Sequence, residues 1–334
     1  MPLSISNSKH SGRPASSLLI RWAAATFLFP ALLSGQGVAR EALTIFPADT
    51  QQLAYVHLAQ LRVAPDYSQI RPRLFSRRLR DFQDFLRSMG TDPERDVEEV
   101  VLGWRGPPTD AAFFGLAEGR FQPEKIRDFF AASQLPSLQY EGFDLYVFGS
   151  GEDPADLFFA FLGSSSAVFG RLGDLKALLD VRRGARPALD SNPTYVGWEA
   201  ELEGTAPQWG IASGEAAANQ AAPWLGGGGK QAPELTAFLR PIQSVLYRIE
   251  WDRGVSTHIS ILCQTAESAA ALSKVLTLWR SSQQAGAANS APGMAAFIQD
   301  MEIQANASRV ELSGSGSLES VDQVLRGPAV EARP

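Results

Sequence analysis

Alternating apolar and polar positions predict two similar series of strands and helices along this chain of 334 residues. Each series contains a strand that ends in Trp and Arg-Gly, followed by a returning strand and then by helical periodicity. The first series places these elements at 97–106, 110–118 and 123–132. The second series places them at 245–254, 255–264 and 265–279. The repetition indicates an internal duplication.

The surrounding segments repeat as well and set the expected domain bounds. A hairpin followed by a helix is predicted at 157–181 and again at 301–325, and strands at 52–58 and 208–213 open the two series. An additional strand is predicted at 140–148. We therefore predict an α+β fold, with two similar copies of a mostly antiparallel sheet covered by helices. The expected divisions are a first copy at 40–184, a connector at 185–203, a second copy at 204–326 and a disordered tail at 327–334.

One helix in the first copy has the clearest apolar stripe. Its members recur at intervals of four and three residues, and Gly90 follows as the expected left-handed C-cap. The stripe consists of Phe75, Leu79, Phe82, Leu86 and Met89. It is expected to cover one face of the antiparallel sheet. The pairs Phe113-Phe114, Phe129-Phe130 and Phe158-Phe159 are each expected to direct one ring to a core.

The N-terminal 39 residues have the pattern of a secretory signal peptide. Basic residues precede a short apolar run at 22–33, no acidic residue occurs before Glu41, and small residues follow the run. The run is shorter than the roughly 20 residues that cross a bilayer. We predict cleavage after Ala39 and a periplasmic or secreted protein without a transmembrane anchor; an uncleaved anchor is the alternative.

Charge and cysteine content narrow the classes of function. Removing residues 1–39 leaves 27 Lys and Arg against 36 Asp and Glu, a formal charge of −9. Such an acidic chain is a poor candidate for binding nucleic acid. Cys263 is the single cysteine, so no internal disulfide is possible, and its strand-like surroundings favour a small buried side chain.

No catalytic, cofactor-binding or metal-binding pattern emerges. His57 and His258 are the histidines after residue 39, and neither lies in a zinc-binding spacing. Asp92, Glu94 and Asp96 begin like a calcium loop, but Val97 and Gly103 occupy positions that require Gly and Glu. The glycine run at 226–229 lacks the spacing of a phosphate loop. We therefore expect no cofactor and a protein that is not an enzyme.

Arginines are concentrated around the 73–89 helix and form the candidate partner-binding site. The proposed contact residues are Arg73, Arg77, Arg78, Arg80 and Arg87, next to Arg71. A basic helical face could bind an anionic lipid or an acidic envelope protein. The alternative is a solvated face with intrahelical ion pairs, such as Arg77 with Asp81 and Arg80 with Asp84.

The segment at 90–100 resembles a turn found in uncharacterised exported bacterial proteins whose domain has no assigned function. The shared pattern is G-x-D-P-x-x-D-x-x-x-V, and this chain matches it at Gly90, Asp92, Pro93, Asp96 and Val100. The resemblance extends over about residues 45–325. It implies an envelope location and a duplicated α+β fold, and it implies no activity.

These observations favour a non-catalytic exported protein with a binding or scaffolding role. A cleft between the two copies is the expected ligand site. Two alternatives stay open: a carrier of lipid or another hydrophobic ligand, and a hydrolase that uses dispersed carboxylates. An open, apolar concavity lined by Phe side chains would favour the carrier, and two carboxylates about 5–10 Å apart in a deep cleft would favour the hydrolase.

Overall fold

A computed structural model describes residues 37–65, 67–68, 71, 77–106, 113–221, 239–252, 254–285 and 298–317. The strands in these ranges form one antiparallel sheet. They are β1 (Gln52–His57), β2 (Val97–Trp104), β3 (Phe114–Gly119), β4 (Ser137–Tyr140), β5 (Phe143–Phe148), β6 (Leu157–Phe161), β7 (Ser166–Arg171), β8 (Gln208–Ser213), β9 (Ile242–Glu250), β10 (Val255–Cys263), β11 (Glu302–Asn306) and β12 (Arg309–Gly316).

Helices lie between the strands, and a short 3-10 turn is found at Leu189–Ser191. The α-helices of the described ranges are α1 (Val38–Ile45), α2 (Leu58–Leu61), α3 (Arg77–Ser88), α4 (Pro93–Asp96), α5 (Pro123–Ala132), α6 (Leu172–Arg182), α7 (Pro193–Leu202), α8 (Gly214–Ala221) and α9 (Ala266–Ala285). The predicted α+β class, with an antiparallel sheet and covering helices, is confirmed.

The strand order is β11-β12-β10-β9-β8-β1-β2-β3-β7-β6-β5-β4. Strands β1 and β8 pair in antiparallel register at the centre, from Gln52 opposite Ala212 to Val56 opposite Gln208. Outward from this pair, β1-β2-β3-β7-β6 has the same arrangement as β8-β9-β10-β12-β11. A duplicated unit would give this order, and the internal duplication stays an interpretation. The two predicted copies thus contribute to one continuous sheet.

Helices pack on both faces of the sheet. On one face, α1, α6 and α7 bury a core that includes Phe46, Phe114 and Trp209. The other face carries two cores: α3 and α5 cover the first half, and α8 and α9 cover the second half. We call these the α1 face and the α3 face. Two covered faces explain why the central strands are apolar on both sides.

The paired phenylalanines show the consequence of this double coverage. Phe114 and Phe158 enter the core on the α1 face, whereas Phe113 and Phe159 enter the core on the α3 face. The expectation of one core-facing ring per pair is therefore incomplete for these strands, because both rings are buried. Successive strand residues point to opposite faces, and here each face has a core.

Local signals explain several element boundaries. Helix α5 has the predicted bounds, and Gly90 after α3 has a φ of 84°, as a left-handed C-cap requires. Thr265 caps α9 by accepting a hydrogen bond from the Ser268 N–H at 3.1 Å, and α9 continues to Ala285. Cys263 is buried in β10, in agreement with its predicted role as a small core residue.

Two segments differ from their predicted form. The single strand predicted at 140–148 is wrong: β4 and β5 form a hairpin around Glu141 and Gly142, which have φ values of 52° and 86°. Two successive left-handed residues make the tight turn. The expected connector at 185–203 contains the packed helix α7, which Asn192 caps and whose Tyr195 is buried.

Helix α1 begins close to the predicted cleavage site. Val38 and Ala39 are both buried in its first turn, so a cut after Ala39 would remove two core residues. The apolar run at 22–33 and the helix predicted after Ser317 lie outside the described residues. Across the ranges described, none of the helices has the length and apolar composition needed to cross a bilayer.

Candidate functional site

An apolar cavity lies between α3 and the α3 face of the first half of the sheet. Its volume is about 100 Å³, and one side is partly open. Helix α3 contributes one wall through Leu79, Phe82, Gln83 and Leu86, which follow helical spacing. The sheet contributes the opposite wall, including Val56, Val100, Leu102, Ala117, Phe159, Phe161, Ala167 and Phe169.

The cavity exists because two small residues lie opposite each other beneath the helix. Ala117 on β3 pairs directly with Ala167 on β7, and both line the cavity. Their neighbour Phe169 lies over Gly115, where a Cβ atom would come within 2.5 Å of the ring. The methyl side chains leave space that larger residues at these positions would fill.

Aromatic rings surround this space and hold α3 against the sheet. The Phe82 ring centroid lies 5.5 Å from that of Phe148, 5.7 Å from that of Phe159 and 6.2 Å from that of Phe169. Tilted and edge-on arrangements of this kind are favourable for aromatic rings. The stripe predicted on this helix therefore has its expected position for Leu79, Phe82, Leu86 and Met89, whereas Phe75 lies outside the described residues.

Two residues of the lining carry polar side chains, although the surface of the cavity is almost wholly apolar. Gln83 is 7% exposed and Thr91 is 8% exposed, and both line the cavity. The Gln83 Oε1 atom accepts a hydrogen bond from Arg71 Nη2 at 3.3 Å. Arg71 Nε also lies 2.5 Å from Glu94 Oε1, so the arginine charge is balanced by a carboxylate.

A second, more polar cleft lies where β1 and β9 end and β8 begins, at the junction of the two predicted copies. Its volume is about 450 Å³ and it is lined by Tyr55, His57, Glu250, Trp251 and Asp252, among others. The His57 Nδ1 atom accepts a hydrogen bond from the Gln60 N–H at 3.2 Å and thereby caps α2. This cleft is open and mixed in character, and the ligand site expected between two copies stays a prediction.

A row of acidic residues crosses the sheet next to this cleft. Glu99 on β2 pairs with Glu118 on β3, and Tyr55 donates its hydroxyl hydrogen bond to Glu99 Oε2 at 2.9 Å. Burial, followed by the charge of Glu99, raises the pKa of Glu118, and burial with this hydrogen bond raises the pKa of Tyr55. Neither Glu99 nor Glu118 lines the cavity or the cleft. Glu250 and Asp252 do line the cleft, so the hydrolase alternative stays open.

The predicted partner-binding arginines are only partly described. Arg73 lies outside the described residues, and the side chains of Arg77 and Arg78 on α3 are not described. Arg80 is half-buried on the same helix. Arg87 forms ion pairs with Asp84 at 2.5 Å and with Asp92 at 3.4 Å. None of these arginines is among the described residues that line the apolar cavity, and partner binding by this face stays a prediction.

The segment at 92–96, which begins like a calcium loop, forms a helical turn that leads into β2. Asp92 caps the short helix α4 by accepting from the Glu94 N–H at 3.2 Å, and Asp96 Oδ2 accepts from the Asp92 N–H at 2.8 Å. Arg95 beside Asp96 lowers the pKa of that carboxyl group. In the described part of the chain, no three His, Cys, Asp or Glu residues are grouped as a metal site requires.

The comparisons with known proteins bear on the fold alone. No protein-family model and no curated protein matches this chain by sequence. Crystal form III of the Treponema protein TP0453 is similar with a TM-score of 0.50 and 12% identity, covering 85% of this chain and 98% of that chain. Crystal form I of TP0453 gives a TM-score of 0.48 at 12% identity, with the same coverage of 85% and 98%.

Proposed function

We propose that this protein binds a hydrophobic ligand in the cavity between α3 and the sheet and acts as a carrier or binding protein in the exported location that the sequence predicts. The observation that supports this function is the Phe-lined, almost wholly apolar cavity of about 100 Å³. An open, apolar concavity lined by Phe side chains is the feature expected of a carrier.

The size of the cavity indicates the kind of group that fits. A single water needs about 10–15 Å³ of free cavity space, so the cavity has room for several water-sized groups. Apolar walls give such water few hydrogen-bond partners, and an alkyl group therefore gains free energy by replacing it. A short stretch of one aliphatic chain matches both the volume and the lining.

The walls are built so that a ligand can enter without disturbing the sheet. Strands β2, β3, β6 and β7 are held by their ladder hydrogen bonds and by the α1-face core behind them. Helix α3 is attached mainly through side-chain packing by Phe82, Leu79 and Leu86. The helix is therefore the wall that can shift to admit a chain, because side-chain packing separates more easily than a strand ladder.

Filling the cavity tests the proposal. Ala117→Leu places a larger side chain in the space. We expect nonane, used as the probe, to bind the purified wild-type protein and to lose at least tenfold in affinity in the variant, as measured by the rise in melting temperature across a nonane titration. Ala132→Leu, on the exposed side of α5, is the matched control and should bind the probe like wild type. Organic extraction and mass spectrometry of the purified protein would identify a ligand retained from the cell.

Two outcomes would count against this function. Wild-type protein that does not bind the probe has no usable cavity. Equal binding by wild type and Ala117→Leu would place the probe elsewhere, and the carrier proposal would then lose its structural basis. Thermal unfolding of the variant distinguishes a filled cavity from a damaged fold, because filling an existing cavity should keep or raise the melting temperature.

A further inference from the structure

We infer that the cleft where β1 and β9 end binds an organic ammonium group, held by the aromatic rings of Tyr55 and Trp251 and by the carboxylates of Glu250 and Asp252. This site is separate from the α3 cavity, and the inference does not depend on the proposed function. The cleft has a volume of about 450 Å³. Ligand pockets generally measure about 300–1,000 Å³, so a small organic molecule fits.

Hydrogen bonds hold the walls of this cleft in place. The His57 N–H donates to the Pro207 carbonyl oxygen at 2.7 Å, which ties the end of β1 to the segment before β8. The Thr205 hydroxyl donates to the Leu202 carbonyl oxygen at 2.6 Å, and Gly204 beside it has a φ of 69°. Walls that are already ordered spare a ligand the entropic cost of ordering them.

The two aromatic rings of the cleft are also held by other side chains. Trp251 donates a hydrogen bond from Nε1 to Gln208 Oε1 at 3.2 Å. The Tyr55 ring stacks on Trp209, with ring centroids 5.0 Å apart. Aromatic faces attract cations, and Trp does so most strongly. Within the described residues, no lysine or arginine lies over either ring of the cleft, so both are available to a cationic ligand.

The charge of the lining is negative. Glu250 is half-buried and Asp252 is exposed, and none of the described residues that line the cleft is Lys or Arg. Neither carboxylate forms an ion pair or a side-chain hydrogen bond with the described part of the chain. His57 adds no positive charge in this arrangement, because its Nδ1 atom accepts the hydrogen bond from Gln60 and therefore carries no proton.

The surroundings of Tyr55 favour a cation that also has an apolar part. Burial and the hydrogen bond to Glu99 raise the pKa of Tyr55, and the charges of Glu99 and Glu203 raise it further. A cation is stabilised near these carboxylates, whereas an anion is repelled. Apolar side chains such as Leu61 and Val63 complete the lining, and Val63 is 81% exposed. An ammonium group with an apolar substituent matches both features.

Choline and 3,3-dimethyl-1-butanol test the role of charge, because they have the same shape and differ in a positive nitrogen and a neutral carbon. In isothermal titration calorimetry of the purified protein, we expect choline to bind at least tenfold more tightly than the alcohol. Raising the salt concentration from about 0.01 M to about 1 M should weaken choline binding several-fold, because salt screens charges near the surface. Binding of the alcohol should show no such loss.

Variants of the lining test each contact separately. Trp251→Leu keeps an apolar wall but removes the aromatic face, so choline should lose about three- to tenfold in affinity while the alcohol changes little. Glu250→Gln and Asp252→Asn should each weaken choline about three- to tenfold and reduce its salt dependence. Glu302→Gln, at an exposed carboxylate on β11 outside the cleft, is the matched control and should bind choline like wild type. Thermal unfolding checks that each variant keeps its fold.

A further ligand, N-acetyl-lysine methylamide, distinguishes a free amine from a lysine side chain of a partner protein. Tighter binding of choline would assign a free ammonium compound, and tighter binding of the lysine derivative would assign a lysine; both support recognition of an ammonium group. Absence of choline binding, equal affinity for choline and the alcohol, or choline binding unchanged in all three cleft variants would overturn the inference. Nonane binding in the α3 cavity is measured separately, so none of these results decides the proposed function.

Discussion

Phe158 and Phe159 are neighbours on β6 whose rings enter cores on opposite faces of the sheet. Phe158 is 2% exposed in the α1-face core, and Phe159 is 3% exposed at the wall of the apolar cavity. Truncating each to Ala therefore removes the same side chain from the same strand, but only Phe159→Ala enlarges the proposed ligand site. This matched pair separates the cavity from general core packing.

The two variants should lose similar stability in the absence of ligand. Replacing a buried Phe with Ala costs about 3–5 kcal/mol, a large part of the 5–15 kcal/mol that is typical of a domain. Phe159 also loses its contacts with Phe82 at 5.7 Å and Tyr146 at 5.4 Å between ring centroids. If either variant fails to fold, the corresponding Phe→Leu pair makes the same comparison with a smaller loss.

Ligand should restore stability to one variant only. A ligand present at 100 times its dissociation constant stabilises the folded state by about 2.7 kcal/mol. Because Phe159→Ala leaves more apolar space in contact with the cavity, nonane should raise its melting temperature more than that of wild type. Phe158→Ala should respond like wild type. Differential scanning fluorimetry across a nonane titration measures both responses, and equal added stabilisation of the two variants would refute our assignment of the cavity.

Three further predictions concern the rest of the fold. Burial raises the pKa of Glu199, so the folded state keeps the carboxyl proton in a pH range where the unfolded chain has released it. The free energy of unfolding therefore falls as the pH rises through this range, because the buried carboxyl group becomes ionised. Glu199→Gln should therefore be more stable than wild type to urea at neutral pH and lose this advantage below pH 4.5, and a variant destabilised at neutral pH would contradict this. Gly142→Ala should lose about 1–2 kcal/mol in urea unfolding because its φ is 86°, whereas Gly163→Ala, without a positive φ, should lose less. A chain that starts at Arg40 should be about 1.5–3 kcal/mol less stable than one that starts at Val38, because Val38 is fully buried. Equal urea midpoints for the two chains would contradict this and would make cleavage after Ala39 compatible with the fold.

Elements bounded by local chemistry could be predicted from the sequence. Pro123 opens α5 at a position that needs no backbone N–H, and Thr265 supplies the cap of α9. Gly90 ends α3 because it adopts a left-handed conformation without strain. Each of these signals acts within a few residues, so the chain does not need to be folded for the signal to be recognised.

Features that depend on distant pairing could not be predicted in the same way. The strand patterns do not specify that β1 and β8 join the two halves into one sheet, because that pairing connects residues more than 150 positions apart. The apolar character of β3 and β6 on both sides is compatible with several architectures. The Glu141-Gly142 turn is different, since a Gly between two apolar runs was a local signal that the prediction of one strand overlooked.

The candidate site combines these two kinds of information. The apolar stripe on α3 was visible in the sequence, but the prediction did not include Gln83, although it lies in the helical register of Leu79 and Leu86. Ala117 and Ala167 carried no signal of their own, because the space above them arises only when β3 and β7 pair. Two small residues that leave space between them cost stability in an ordinary core. Their convergence on one cavity is the kind of local departure from efficient packing that a binding site requires, and it is the reason we place the ligand there.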